Sequence, residues 1–496
     1  MSWLVGLPLI VMVASSVAAL ACLPNRRTQE TIALTGMVAL TGAAGWLLWA
    51  TWGGDILVLQ AGNWPAPFGI TLVADLFAAI MVMLAAIVGL AATAYSVGTI
   101  DADRERYGYY PLMNILVLGV CGAFLTGDLF NLYVWFEVLL VASFVIMALG
   151  GRRPQVEGAL KYVALNLVSS VLFLSGVGLL YAATGTLNMA GLSLRVAEAE
   201  SDGYMTAIAM LFLTSFGIKA AMFPLFFWLP ASYHTAPAPV AALFAGLLTK
   251  VGVYALIRVF TLIFTTDVGY THAILLWLSV ATMVTGVLGA VSHNDVKRIL
   301  SFHIISQIGY MTLGLALFTP LALAGSIFYI GHHIIVKTNL FFVAGLIRRL
   351  GGSYELAHVG GLAKSTPLLA ALFFIPAFSL GGIPPLSGFF AKFVLVRAAA
   401  DEREFVALGF ALGVGLLTLL SMTKIFVEAF LKPAPVQPAS PPGKANGWHY
   451  APIAGMALLT LVIGFAAEPF LSAAEEAASQ LMEPDQYITA VLGGSE

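Results

Sequence analysis

The chain has 496 residues, 60% of them hydrophobic and only 10% charged, where a soluble domain carries about 25% charged residues. Its mean hydropathy is +0.94, and 23 Lys and Arg against 25 Asp and Glu leave no polybasic face for nucleic acid. These figures exclude a soluble enzyme, a nucleic-acid binder and a disordered regulator, and Cys22 and Cys121 alone build neither a zinc site nor a disulfide framework.

A helix needs roughly 20 apolar residues to cross a bilayer. In chain order, such runs fall at about 3–23, 31–50, 71–97, 111–127, 129–149, 159–183, 205–229, 237–262, 271–291, 299–318, 321–347, 366–398, 405–430 and 450–470. The expectation is therefore an all-α polytopic membrane protein of about 14 spans. The first run lacks a basic segment before it and is followed by Arg26-Arg27, which suits an uncleaved anchor with its N-terminus outside. Odd-numbered loops and their edges hold 15 basic residues and even-numbered loops 4, so the positive-inside rule places odd loops in the cytoplasm and both termini outside. The proline-rich stretch Lys432–Pro442 reads as an extended linker, and the acidic stretch after about residue 471 as an outer-surface tail. No extramembrane segment is long enough for a separate catalytic domain.

Some ionisable residues fall inside apolar runs. In chain order they are Glu137, Lys219, Lys250, His332 and His333, Lys337 and Lys392. An ionised Lys at the bilayer centre costs at least ~2.5–3.5 kcal/mol, so such groups pair, become neutral or line a hydrated interior. Chained together they make a proton relay. The plainer alternative for Glu137 and Lys219 is a static salt bridge between helices. His333 and Lys337, four residues apart, share a helix face across which a proton could pass. Lys250 stands in sequence between Lys219 and the later groups.

Pro224 follows Lys219, and Gly381, Gly382, Pro384 and Pro385 precede Lys392. Such residues loosen a helix and remove backbone donors, so spans seven and twelve are expected to break in mid-membrane. Ordinary proline kinks are the alternative. Breaks at corresponding places in two halves point to inverted repeats, here spans 4–8 and 9–13. The chain then divides into a three-helix segment (1–110), a first repeat (111–262), a second repeat (263–431) and a linker, last helix and tail (432–496). Asp75 and Asp128 stand where helix N-caps belong. Lys424 and Glu428 lie near the inner boundary, and Ser306, Gln307 and Asn339 could line a wet cavity or stitch helices together. No nucleotide, redox-cofactor or metal-site pattern is seen.

The run Asp128-Leu129-Phe130-Asn131-Leu132-Tyr133-Val134-Trp135-Phe136-Glu137 resembles the fifth-helix signature of antiporter-like subunits, a family shared by respiratory complex I and Mrp-type cation/proton antiporters. Phe216–Pro239, His293–Leu300 and Gly381–Lys392 resemble the same family. Within it, the Asn63–Ile70 segment, the Trp-Phe-Glu ending and Lys392 are closest to the D-type branch of the Mrp antiporters. Pro230-Ala231-Ser232 departs from the pattern, since many relatives carry an acidic residue after that proline.

The resemblance implies a proton-translocating subunit of a multisubunit Na+/H+ antiporter in a prokaryotic cell membrane, with no cofactor and no chemical catalysis. Its partners would be the lipid bilayer, the other subunits, protons and Na+, with the Na+ site elsewhere in the complex. Glu137 and Lys219 would form a switching pair, Lys250 the central relay, His332, His333 and Lys337 the onward path, and Lys392 the far gate. A proton-pumping subunit of an NADH–quinone oxidoreductase or related redox complex is the alternative. A stand-alone solute transporter with its pocket at the broken helices is a third.

Overall fold

The protein is described here by a computed structural model covering residues 1–198, 203–435 and 443–493. Helices α1 (Trp3–Ala21) and α2 (Arg26–Thr51) open the chain, the second capped by the Asn25 side chain on the Thr28 N–H. The third apolar run is not helical from its start. Thr71–Ala74 (β2) instead pairs antiparallel with Leu57–Gln60 (β1), and α3 (Leu76–Val97) begins after Asp75, whose carboxylate accepts from the Ala78 N–H. Apolar content alone could not separate strand from helix there; the Asp75 cap marks the switch.

A short α4 (Ala102–Arg106) precedes α5 (Tyr109–Leu125), α6 (Leu129–Ala148), α7 (Arg153–Thr184) and α8 (Met189–Glu198). The seventh run divides into α9 (Gly203–Ala220) and α10 (Trp228–Ser232). The eighth holds α11 (Ala238–Leu243) and α12 (Thr249–Leu262), joined through a turn of π geometry at Phe244–Leu248. Then come α13 (Val268–Ser292), α14 (Val296–Leu317), α15 (Pro320–Gly351) and a short α16 (Leu362–Ser365). The twelfth run is α17 (Pro367–Gly381) plus α18 (Ser387–Asp401), followed by α19 (Phe405–Phe426) and α20 (Gly447–Phe465).

Among the described residues, twelve helical stretches, not fourteen, are long and apolar enough to cross a membrane. The fourth run forms α5, with 17 residues, and the first half of the twelfth forms α17, with 15. Gly382, at φ +92°, stops α17. Large apolar side chains cover the outside of the bundle, Leu416 and Phe465 being 71% exposed, as lipid-facing residues are. The chain is a polytopic all-α membrane protein.

The acidic tail is not loose. It forms α21 (Ala467–Met482) and α22 (Pro484–Leu492), which turn Glu475 and Glu476 outward and bury Ala474, Ala477, Ala478 and Tyr487. Of the proline-rich linker, Val436–Pro442 lies outside the described residues.

Contacts between loops sort them into two ends of the bundle. At one end, Leu72 bridges Thr126, Asn188 donates to Thr71 (3.1 Å), and Gln480 donates to the Gly54 carbonyl (2.7 Å). Arg258 pairs there with Asp75 at 2.6 Å, both side chains buried, and lies over the Tyr487 ring. Asp75 is thus both an N-cap and the counter-charge of a buried Arg. At the other end, Arg26 pairs with Glu105, and Arg104 donates to the Leu149 carbonyl at 3.1 Å. Lys297 donates to the Ala236 carbonyl and Arg349 to that of Lys444. Burial pushes the Glu105 carboxyl up to about 7, with Arg26 pulling it down less strongly. Loops two, four, six and the tail share the first end; loops one, three, five, seven, nine, eleven and thirteen share the second.

A second regularity links distant parts of the chain. Leu129 N–H donates to Leu187 C=O (2.9 Å) and Met189 N–H to Gly127 C=O (2.8 Å), forming a two-bond bridge between Asp128 and Asn188. Val296 N–H donates to Tyr354 C=O (3.0 Å) and Leu356 N–H to Asn294 C=O (2.9 Å), forming the same bridge between Asp295 and Glu355. In both places the aspartate side chain caps the following helix, on Asn131 and on Arg298. The first bridge lies at one end of the bundle and the second at the other.

Candidate functional site: a buried polar track

The two breaks share a local design. In each, a left-handed residue ends the helix and proline follows: Ala221 (φ +62°) before Pro224, and Gly382 before Pro384 and Pro385. At the first break the Ile218 carbonyl accepts from the Trp228 indole N–H (2.9 Å), and the Phe223 N–H donates to Thr282 (2.9 Å). Backbone groups freed in a membrane interior are thereby satisfied by protein.

Lys219 is the penultimate residue of α9 and is buried. It makes no direct ion pair with Glu137. Its ammonium donates to the Ser170 hydroxyl at 3.1 Å, and that hydroxyl donates to the Glu137 carboxylate. The Ser170 hydroxyl also lies 3.1 Å from the Asn166 carbonyl, toward which Lys219 donates at 3.4 Å. The Phe136 ring packs 5.4 Å from the ammonium. A Lys–Ser–Glu chain of this kind has a direction: the hydroxyl proton points at the carboxylate while the ammonium holds the lone pair.

Lys250 lies on α12, whose residues are all buried. Helices α9 and α12 meet at Gly252, where a Cβ would stand 2.6 Å from the Ala220 backbone N and 2.9 Å from the Lys219 carbonyl carbon. The close approach brings the helices carrying Lys219 and Lys250 into backbone contact, as small residues do inside membranes. The Lys250 ammonium donates to the Ala245 carbonyl within the π-shaped turn (2.5 Å) and to Thr249 (3.3 Å); single π turns of this kind recur at functional sites.

From Lys250 the track passes to α15. Helix α15 packs against the π-shaped turn before Lys250, where a Cβ on Gly246 would run into the Thr338 hydroxyl, next to Lys337. Both ring nitrogens of His333 and the Lys337 ammonium are buried with no hydrogen-bond partner among the described residues. So His333 and Lys337, one helical turn apart, are not bonded to each other. Polar groups this deep ordinarily find a partner, in protein or in ordered water.

His332 turns toward the second break. Its Nδ1 lies 2.8 Å from the Ser387 hydroxyl, which lies 3.1 Å from that of Ser379 on α17. Lys392, on α18, reaches back across the break to the last carbonyls of α17, Leu380 at 2.9 Å and Gly381 at 3.2 Å. A cation there also meets the negative end of the α17 dipole. The Tyr310 ring lies 5.4 Å from its ammonium.

Several members of this track leave no mark in the sequence. Ser170 is the nearest to legible, since it stands one helical turn after Asn166 in a long apolar run. His303, which meets Ser421 through Nε2, and the Tyr329 hydroxyl, which donates to Gln307, also lie among these groups. Ser379 and Ser387 become neighbours only because the helix between them breaks. Ser306 and Gln307 lie side by side, the Gln307 amide 3.4 Å from the Ser306 hydroxyl, and Asn339 is buried with both amide atoms unpaired among the described residues. Lys424 turns to the Val291 and His293 carbonyls, and Glu428 pairs with Lys432 at 3.1 Å. Among the described residues no group of three or more His, Cys, Asp or Glu side chains could hold a metal ion.

Comparison with known proteins gives three concordant results. The family model described as NADH:quinone oxidoreductase/Mrp antiporter, TM, matches residues 126–418. The D subunit of a Na(+)/H(+) antiporter from Alkalihalophilus pseudofirmus is 52% identical over 440 residues, 88% of each chain. Among solved structures, a chain of the Mrp complex from a Dietzia species superposes with a TM-score of 0.91 at 34% identity, covering 99% of both chains. A chain of the membrane-bound sulfane sulfur reductase, an archaeal respiratory membrane complex, gives 0.89 at 26% identity, again over 99% of both.

Proposed function

This chain belongs to the NADH:quinone oxidoreductase/Mrp antiporter transmembrane family, and from that premise we propose that it is the D-type, proton-carrying subunit of a multisubunit Na+/H+ antiporter in a prokaryotic cell membrane. The observation that carries the reading is the polar track through the centre of an otherwise apolar bundle, linking two broken helices. The 52% identity to the D subunit of a Na(+)/H(+) antiporter supports the same assignment.

The subunit works as a secondary transporter. A proton on Lys219 keeps the Ser170 hydroxyl aimed at Glu137. When that proton passes toward Lys250, the neutral amine becomes an acceptor, the hydroxyl turns to it, and Glu137 loses the charge that held it. Lys250, His333, Lys337, His332 and Lys392 carry the proton onward, with water joining the unpaired groups. One charge crossing 100 mV supplies ~2.3 kcal/mol, and the proton motive force drives the sequence. Na+ crosses through the partner subunits.

Spans 4–8 and 9–13 act as two inverted repeats. The matching two-bond bridges at opposite ends of the bundle and the matching breaks support this division. The end rich in Arg and Lys faces the cytoplasm, which puts both termini outside.

The likeness to the sulfur reductase chain favours a second reading, a proton-pumping subunit of a redox-driven complex. Vesicles holding the complete complex separate the two. Adding Na+ or Li+ to acid-loaded vesicles without an electron donor is expected to collapse the pH gradient. Proton movement that requires an electron donor and ignores these cations contradicts the antiporter assignment.

A further inference from the structure

A cavity of about 530 Å³ opens at the Arg-rich end of the bundle, between loops three, five and seven of the first half and loops nine and eleven of the second. Arg104, Arg152, Lys297, Arg348 and Arg349 line it, and among the described residues no Asp or Glu does. Positive loops are ordinary on this face, but several there are neutralised locally: Arg26 by Glu105, Lys161 by Glu157, Lys432 by Glu428. Around the cavity, among the described residues, only Arg104 has such a partner, Asp101, which lies outside it. Arg152, Arg348 and Arg349 form no ion pair among the described residues.

Two of these cations are held together against their repulsion. The Lys297 ammonium lies 4.6 Å and the Arg348 guanidinium 5.2 Å from the centroid of one ring, that of Tyr354. Lys297 is buried, its ammonium donating to the Ala236 and His234 carbonyls. Asp295 offsets part of the charge on Lys297 from outside the cavity, and crowding like charges around one aromatic ring remains costly unless an anion completes the group. Guanidinium forks match phosphate oxygens, and the volume accommodates a headgroup rather than a lone halide.

We propose that this cavity binds a phosphate-bearing anion, which ties the end of α15 to the loops of the first half. Gly443 borders the cavity and donates to the Arg349 carbonyl at 2.7 Å, so the described end of the linker closes one side. Basic pockets between membrane helices on the cytoplasmic side take lipid phosphates, and a soluble phosphate offers the same chemistry. Because α15 also carries His332, His333 and Lys337, occupancy braces the relay helix at one end. The site stands on its own residues and holds whether or not the relay reading does.

The test uses the full-length chain in phosphatidylcholine nanodiscs, titrated with pyrophosphate in one arm and doped with cardiolipin in the other. One anion per chain is expected, with affinity at least about tenfold weaker in R152Q/R348Q. Arg152 is exposed and makes no side-chain hydrogen bond among the described residues, so R152Q alone tests the site if the double variant fails to fold. R27Q/R153Q removes equal charge from the same end outside the cavity and is expected to bind as the wild type does. Binding of pyrophosphate or of cardiolipin each supports the site and identifies the source. Equal weakening in both double variants, or no binding in either arm, overturns it.

Discussion

Replacing Lys219 or Glu137 with alanine is expected to lower cation-dependent proton exchange by on the order of 10²-fold or more, with the complex still assembled. Each substitution removes one end of the Lys219–Ser170–Glu137 chain. The helices themselves are held elsewhere, by the Phe136, Phe173, Phe212 and Phe216 rings. Lys219→Arg keeps the charge but never releases the proton, so it should be as inactive as the alanine variant. Ser170→Ala takes away only the connecting hydroxyl. A water can stand in for it, and a loss of about tenfold is expected. Exchange in acid-loaded vesicles, with complex content checked by native gel, reads all four. Wild-type rates in both Lys219→Ala and Glu137→Ala would show that the chain is a structural tie and not a switch.

The second large effect is steric. Gly252→Val adds a branched side chain where even a Cβ meets the Ala220 backbone at 2.6 Å. Main chain cannot rotate aside as a side chain can, so α9 and α12 must separate. Overpacking of this kind costs about 1–3 kcal/mol. Exchange should fall further than stability does, because the same displacement pulls Lys219 away from Lys250. Gly413→Ala is the control: nothing lies within 4 Å of a Cβ there, so exchange should stay unchanged and the melting temperature should not fall, alanine being the better helix former. Thermal melting and exchange measured on the same samples check both. A Gly252→Val protein exchanging at the wild-type rate would mean that the α9–α12 contact does not set the transfer distance.

The spans were legible because lipid imposes one requirement, a long apolar helix, and charge in the loops marks the ends. Where that requirement lapses, legibility lapses too. Thr71–Ala74 is as apolar as a helix start and is buried like one, yet it pairs as a strand with Leu57–Gln60. Glu475 and Glu476 suggested an outer-surface tail, but the alanines on either side of the pair make a buried face that composition conceals. In the candidate site, the buried ionisable groups stood out because each is expensive in an apolar run. The hydroxyl of Ser170 is cheap there and gives no such signal, although it is what joins Lys219 to Glu137. The bridges of Asp128 to Asn188 and Asp295 to Glu355 depend on backbone atoms. Of their residues only Asp128, read as a cap, left a trace of this kind in the sequence.

Lys250 is where the relay is most exposed to test, since in the proposed path it stands between Lys219 and the His333–Lys337 stretch. The decisive measurement is the internal pH of pyranine-loaded proteoliposomes containing the complete complex with Lys250→Ala, after an outward Na+ gradient is imposed. The relay predicts a pH change no faster than that of protein-free liposomes. A pH change at the wild-type rate would contradict it.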